Sequence, residues 1–188
     1  MPYAKDHKSK TRARILASAH RQFAEHGYDA ASIDDIMKGA ELTRGGFYAH
    51  FRNKEQLFLE TILGGVVADG TAPWASARDA GVSEIEAMLR SYLSDAHIHE
   101  PAHRCPLITF PSEVARGTQD LRHAYQRVSL SIADALRSSM DGEDNRARSL
   151  AVLSIIVGAS VLARAVSDEG LSREIRAASL EYALAPTG

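Results

Sequence analysis

The stretch that decides the fold is residues 43–54, which read Thr-Arg-Gly-Gly-Phe-Tyr-Ala-His-Phe-Arg-Asn-Lys. Phe47 and Phe51 lie four residues apart, so on a helix they share one face and can anchor it in a core. Arg44 and Tyr48 fall on other faces, beside the bare backbone of two glycines. A short helix that is anchored from behind, slim in front and rich in donors suits the major groove of DNA.

The two segments before this stretch predict the helices that complete a helix-turn-helix. Apolar residues recur at a helical period through residues 8–26, and Gly27 is placed to end that helix in a left-handed conformation. The Ser32 hydroxyl can cap a second helix, whose first turn carries two acids at the positive end of the dipole. After a turn at residues 40–43, Thr43 is the expected cap of the third helix, and Asn53 is the expected cap of the helix that follows it. Helix, short helix, turn and short helix make up the helix-turn-helix arrangement.

Residues 11–58 resemble the DNA-binding region of the TetR (tetracycline-repressor-like) family of bacterial regulators. The resemblance implies an all-α chain with a helix-turn-helix, three-helix DNA-binding domain at residues 1–53 and a helical ligand-binding and dimerisation domain at residues 54–188. It also implies a transcriptional regulator, most simply a repressor released from its operator by a small-molecule or reactive effector. The residues do not distinguish repression from activation, and they identify neither the effector nor the operator. The matching residues are Thr11, Arg12, Ile15, Leu16, Ala19, Phe23, Gly27, Tyr28, Ser32, Ile33, Asp35, Ile36, Ala40, Leu42, Thr43, Arg44, Gly45, Phe47, Tyr48, His50, Phe51, Lys54, Glu55 and Leu57.

Two positions depart from the family pattern. Glu41 stands where the turn usually has glycine, and a positive φ angle there would cost about 1 kcal/mol. Met37 replaces a usual alanine where the two short helices cross. Because methionine is flexible, we expect local repacking around it and no change of fold.

The DNA-contacting residues are predicted from the same stretch and its caps. Arg44 is the expected base reader, since its fork can bond guanine O6 and N7. Tyr48 and His50 resemble phosphate-contacting positions of the family, and Lys54 lies at a helix start that favours phosphate. Ala49 is a candidate for contact with a thymine methyl group, and the two glycines either permit close approach or only serve the turn. The full predicted set is Ser32, Thr43, Arg44, Gly45, Gly46, Tyr48, Ala49, His50 and Lys54.

Charge and composition favour a cytoplasmic protein that presents one end to a polyanion. The chain has 188 residues, 45% hydrophobic and 24% charged, as in ordinary soluble proteins. Residues 1–54 hold ten Lys and Arg against six Asp and Glu, whereas residues 55–188 hold twelve against eighteen. The single cysteine excludes an internal disulfide and suits a reducing compartment. The N-terminus lacks an apolar run, and the apolar stretch 150–163 is too short to span a membrane, so no membrane is expected as a partner.

The body should contain six further helices, which makes about nine in all. No convincing strand alternation appears. The helix at 143–167 is apolar nearly all round and must be covered on most sides. We expect it to form a homodimer interface with the helix at 171–184, which would let two heads read a palindromic double-stranded operator. The alternative is a central core helix of a monomer. The six body helices are expected at 54–69, 83–96, 106–116, 120–140, 143–167 and 171–184.

An effector pocket, if present, should lie among the body helices. Its candidates, each also compatible with plain core, are Trp74, Leu89, Tyr92, Leu93, Cys105, Phe110 and Tyr125. Pro106 places Cys105 at a helix cap near Arg104, where a lowered pKa would make the thiol a sensor; the alternative is a buried packing residue. Three nearby histidines match no firm metal signature, so no metal site or cofactor is predicted. No nucleophile–base pattern or phosphate loop appears, so the chain is not expected to be an enzyme.

Overall fold

Every regular element that the structure describes is a helix. The computed structural model describes residues 3–67, 82–100, 105–140 and 145–185, and within these ranges it contains no strand, which confirms the all-α prediction. The elements are α1 (Tyr3–Ala30), α2 (Ile33–Gly39), a 3₁₀ helix (Arg44–Ala49), α3 (Lys54–Val67), α4 (Glu84–Tyr92), α5 (Asp95–His99), α6 (Pro106–Thr109), α7 (Pro111–Arg116), α8 (Gln119–Ser138), α9 (Arg146–Ala165) and α10 (Glu169–Leu184).

The described ranges contain two helices more than the nine expected, because two predicted helices are each broken in the middle. The segment 83–96 divides at Ser94, whose hydroxyl accepts a hydrogen bond from the His97 amide at 3.2 Å and so caps α5. The segment 106–116 divides at Phe110, because Pro111 has no amide to continue the hydrogen-bond ladder and instead begins α7.

The head of the protein, residues 3–53, is organised by the inner face of α1. Ile15, Ala19 and Phe23 are fully buried, as their spacing predicts. Gly27 does adopt a left-handed φ of 79°, but helical turns resume beyond it to Ala30, so the predicted end is a kink within α1. Together α1, α2 and the 3₁₀ helix form the expected helix-turn-helix.

The helix α3 joins the head to the body, since it packs against α1 on one side and α8 on the other. In the body, α9 packs between α8 and α10. The buried side chains of head and body form one continuous apolar cluster. The helix α3, which contacts both α1 and α8, therefore connects the packing of the head to that of the body.

The helix α9 is longer than its most apolar stretch suggests. Its 20 residues make it the one helix within the described ranges that is long and apolar enough to cross a membrane, so the expectation that it is too short, drawn from residues 150–163, was wrong. One face is nevertheless packed in the core through residues such as Val152 and Ile156. Core helices of soluble proteins share this length and composition.

Candidate nucleic-acid interface

The 3₁₀ helix is pinned to the head by its two aromatic anchors. Phe47 and Phe51 are 0% and 1% exposed, and their ring centroids lie 5.7 Å apart, which confirms the predicted inward face. Phe51 follows the helix, and its amide donates to the Phe47 carbonyl at 3.0 Å. The Arg12 guanidinium lies 4.6 Å from the centroid of the Phe51 ring and is paired with Glu60 of α3. The helix is a 3₁₀ turn, tighter than the α-helix that spacing alone suggests.

The opposite side of the 3₁₀ helix faces solvent. Tyr48 is 61% exposed, although one edge of its ring contacts Phe47 at 5.2 Å between centroids. Thr43, Arg44 and Ala49 are also exposed. The predicted reading side is therefore open, with a phenol, a guanidinium and a methyl group on it.

The two glycines of this helix are not required by packing within the protein. A Cβ atom added at Gly45 would meet nothing within 4 Å. One added at Gly46 would lie 3.6 Å from Met37 Cε, which is ordinary van der Waals contact. Met37 itself is 1% exposed and fits the crossing of the two short helices without a change of fold. No protein neighbour therefore demands glycine at position 45.

Arg44 makes an ion pair within the helix-turn-helix. Its Nη1 atom donates to Asp34 Oδ2, in the first turn of α2, at 2.6 Å. Both side chains remain more than half exposed, at 62% and 56%. The guanidinium thus keeps most of its donors open to solvent while one is held by the carboxylate.

His50 is held with one ring nitrogen inside the head. Its Nδ1 atom is enclosed and has no hydrogen-bond partner in the described part of the chain. Burial lowers the pKa of His50, and the positive charges of Lys8 and Arg12 lower it further. Because the pKa of His50 lies below its ordinary value, the uncharged ring is the main form at neutral pH.

Lys54 is tied to the end of α1. Its Nζ atom lies 4.6 Å from the centroid of the Tyr28 ring and donates to the Asp29 carbonyl at 3.2 Å. Burial lowers the pKa of Lys54, and the Asp29 carboxylate partly opposes this shift. An ammonium carries three donors, so two remain for a phosphate after the bond to Asp29.

The helix caps agree with the sequence in two places and differ in one. The Ser32 hydroxyl accepts from the Asp35 amide at 3.0 Å and donates to the Asp35 carboxylate at 2.5 Å. Asn53 Oδ1 accepts from the Gln56 amide at 2.8 Å and caps α3. Thr43 occupies the cap position of the 3₁₀ helix, but its hydroxyl makes no capping bond, so the predicted capping role of its side chain was wrong.

The turn before the 3₁₀ helix holds a non-glycine residue in the left-handed region. Glu41 has a φ of 55°, as its place in the family pattern suggests. Arg14 Nη2 bonds both the Ala40 carbonyl at 2.6 Å and the Glu41 carboxylate at 3.0 Å. Arg14 is thus part of the scaffold of the turn.

The described candidates for an effector pocket are packed in or against the core. Five of them are fully or almost fully buried, and Tyr125 is half-buried with its hydroxyl donating to the Leu107 carbonyl at 2.8 Å. Trp74 lies outside the described residues. The buried five are Leu89, Tyr92, Leu93, Cys105 and Phe110.

Cys105 occupies the predicted cap position, but its chemistry differs from the prediction. The thiol is buried and accepts a hydrogen bond from the Tyr92 hydroxyl at 3.7 Å. Burial raises the pKa of Cys105, and this outweighs the lowering by amide and hydroxyl donors. The expected lowered pKa was therefore wrong, because desolvation of the thiolate exceeds the stabilisation that a helix start can supply. Burial, with a smaller contribution from Cys105, also raises the pKa of Tyr125 to about 12.

Two residues make contacts at this surface that the sequence does not predict. Asp34 reads as one of two acids at a helix start, and its spacing of ten residues from Arg44 signals no contact. Tyr28 reads as an apolar partner of Gly27, and its ring also contacts Phe23 and Phe58 and carries the Lys54 ammonium. Both contacts depend on how α1, α2 and α3 cross.

Part of the chain matches a known protein family. The model of the family described as "Bacterial regulatory proteins, tetR family" matches residues 15–61. The probable acrEF/envCD operon repressor of Escherichia coli K12 is 47% identical over 54 residues, which is 29% of this chain and 24% of that protein. This chain thus matches only about a quarter of that curated relative's length.

Solved structures extend the likeness to nearly the whole chain. The E. coli NemR protein in its reduced form has a TM-score of 0.74 at 19% identity, covering 92% of this chain and 95% of that one. The tetR-family transcriptional regulator from Cytophaga hutchinsonii has a TM-score of 0.73 at 19% identity, covering 94% of both chains. At this identity the likeness establishes the fold alone.

Proposed function

We infer, from the premise that residues 15–61 belong to the tetR family of bacterial regulatory proteins, that this chain is a cytoplasmic, sequence-specific DNA-binding transcriptional repressor. The observation that carries this proposal is the 3₁₀ helix, in which Phe47 is buried, together with the following Phe51, while Arg44 and Tyr48 are exposed. The probable acrEF/envCD operon repressor of E. coli is among the relatives of this region. The exposed side of the head offers hydrogen-bond donors in the arrangement that a major groove accepts.

Within this proposal the surface residues divide into base readers and phosphate binders. Arg44 reads a guanine, and the open backbone at Gly45 and Gly46 lets the helix approach the base edges. Ala49 lies beside Tyr48 and offers a methyl group to thymine. Phosphates are bound by exposed and half-buried groups around the helix, which are Ser32, Thr43, Tyr48, His50 and Lys54.

The head at residues 1–53 binds the operator, and the body at residues 54–188 dimerises and receives the effector. Leu150 and Leu162 of α9 are 40% and 57% exposed, and Leu171 and Tyr182 of α10 are 45% and 75% exposed. These apolar groups on the two last helices favour a two-fold, four-helix interface. Two heads then read palindromic half-sites about one helical turn (~34 Å) or a multiple apart.

Control by an effector requires contacts that carry a change in the body to the head. Phe110, between α6 and α7, lies 5.0 Å from Phe58 of α3 and 6.4 Å from His20 of α1 between ring centroids. Phe58 in turn lies 4.9 Å from Phe23 of α1. A small molecule that repacks the region of Tyr92 and Phe110 would therefore displace α3 against α1. It would weaken operator binding by its differential affinity for that displaced state.

The test begins with operator selection from a random pool of DNA duplexes by the wild-type protein. Binding of the selected duplex and of a scrambled duplex is then measured at one salt concentration for wild type and Arg44→Ala. Loss of the guanine contact should cost about 1–3 kcal/mol on the operator and little on scrambled DNA. Failure of the wild type to enrich any sequence would contradict the proposed function. Equal losses on both duplexes would contradict the role of Arg44.

A further inference from the structure

The ion pair between Asp34 and Arg44 has no evident role in holding the fold. The two side chains are 56% and 62% exposed, and ion pairs in that environment contribute little to stability. The pair crosses between α2 and the 3₁₀ helix on the side that faces away from the aromatic anchors. It therefore places a carboxylate on the surface that is proposed to meet DNA.

The neighbouring acid does something different, although it has the same charge and lies in the same helical turn. The Asp35 carboxylate accepts from Ser32, and the Asp35 amide donates to the Ser32 hydroxyl. Asp35 thus completes the cap of α2, whereas Asp34 reaches the 3₁₀ helix at a distance of 2.6 Å. The two acids divide into one that serves the helix start and one that serves Arg44.

A carboxylate bound to one nitrogen of a guanidinium limits how the fork can turn. Arg44 uses Nη1 for Asp34, and its remaining donors stay available for the paired acceptors of guanine. The same carboxylate repels backbone phosphates, which have no hydrogen-bond donor to offer it. Some base edges do carry a donor that the carboxylate can accept from. Both effects favour a base-reading pose of Arg44 over one in which it binds phosphate at any sequence.

We propose that Asp34 is a specificity-determining residue of the DNA interface, which positions Arg44 toward a base edge and penalises binding through the phosphate backbone. This proposal rests on the proposed function. It predicts that Asp34 lowers the affinity of the protein for non-specific DNA and raises the ratio of its operator affinity to its non-specific affinity. Asp34 acts through Arg44 and is a positioning residue with respect to the base that Arg44 reads.

The experiment compares Asp34→Asn with Asp35→Asn, since each removes one negative charge from the first turn of α2. Dissociation constants are measured for the duplex selected by the wild type and for a scrambled duplex of equal composition. Asp34→Asn should bind scrambled DNA more tightly and lower the operator-to-scrambled ratio by about 10-fold, within the range of one base contact. Asp35→Asn should strengthen the binding of both duplexes by a similar factor, because the asparagine side-chain oxygen can still accept from the Ser32 hydroxyl and only the negative charge is removed.

A second arm places Asp34→Asn in the Arg44→Ala background, where the proposal expects the ratio to stay unchanged within about threefold. A fall in the ratio there as large as in the wild-type background would overturn the positioning role. The positioning role would also be overturned if Asp34→Asn and Asp35→Asn had equal operator-to-scrambled affinity ratios. The same holds if Asp34→Asn increased the affinity for the operator more than the affinity for scrambled DNA. If the wild type selects no operator, the proposed function fails and this inference fails with it. If the wild type selects one and Asp34→Asn keeps its ratio, only the inference fails.

Discussion

Replacing Glu41 by glycine and by alanine should separate backbone strain from the ion pair in the turn of the head. Both variants remove the carboxylate that pairs with Arg14 at 3.0 Å, so the loss of that pair is common to them. Only glycine adopts a φ near 55° without steric cost. The left-handed conformation costs an L-residue about 1–2 kcal/mol, and the greater unfolded-state entropy of glycine offsets about 0.5–1 kcal/mol of the relief. Glu41→Gly should therefore exceed Glu41→Ala in free energy of unfolding by roughly 0.5–1 kcal/mol.

The wild type should lie between the two variants or close to Glu41→Gly. Its pair with Arg14 is exposed, with the Glu41 side chain 86% accessible, and such pairs contribute about 0.2–1 kcal/mol. Urea unfolding followed by far-UV circular dichroism measures the difference. At a slope near 2 kcal/mol per molar urea, the midpoints of the two variants should differ by roughly 0.3–0.5 M. Protein concentration must be equal throughout, because a dimer gains stability with concentration.

Arg14→Ala supplies the control for this comparison. It removes the pair with Glu41 and also the bond to the Ala40 carbonyl, which is part-buried at 2.6 Å, so it should cost about 0.5–1.5 kcal/mol on its own. The difference between glycine and alanine at position 41 should persist in this background, since it belongs to the backbone. If alanine proved as stable as glycine in both backgrounds, the turn would carry no strain and the reasoning would be refuted.

Three further outcomes are expected, each with its own measurement. A thiol probe at mildly alkaline pH should label Cys105 far more slowly in the native protein than in urea, because the thiol is buried with a raised pKa; equal rates would contradict the packing role. If His50 meets a phosphate, its lowered pKa must rise in the complex, so operator affinity should increase by roughly two- to tenfold as pH falls from about 8 to 6. His50→Gln should remove this dependence, and an unchanged pH profile in that variant would refute the contact. Leu162→Glu should give a monomer by light scattering at micromolar concentration, since the side chain is 57% exposed on α9 and would be buried in the proposed dimer; a dimeric mass would place the interface elsewhere.

The features that sequence predicted correctly depend on near neighbours in the chain. Phe47 and Phe51 are four residues apart, and their shared burial follows from the geometry of any helical turn. The Ser32 and Asn53 caps bond amides three residues ahead, so the residue type at one position and the helix start decide them. The left-handed φ of Glu41 was foreseeable from the family resemblance, because Glu41 stands where the turn of that family usually has glycine.

Of the features that the sequence analysis missed, two depend on where distant segments cross and one had a local signal. Cys105 was placed correctly at the start of α6, but its pKa is decided by the helices that bury it. The break at Phe110 was available from Pro111, because the residue before a proline is driven away from helical backbone. The contact of Asp34 with Arg44 had no local signal, since it arises from the crossing of α2 and the 3₁₀ helix.

Several basic residues of the head make contacts that stabilise the head itself. Its positive charge is therefore not explained by binding to a polyanion alone. Arg12 pairs with Glu60 and covers the Phe51 ring, and Arg14 holds the turn at Glu41. Lys54 lies on the Tyr28 ring. Substituting any of these three cations would disturb the position of the 3₁₀ helix together with the field it projects. A loss of DNA affinity in such a variant therefore cannot be assigned to a phosphate contact until its free energy of unfolding is known, whereas Arg44, whose exposed pair adds little to stability, allows that assignment directly.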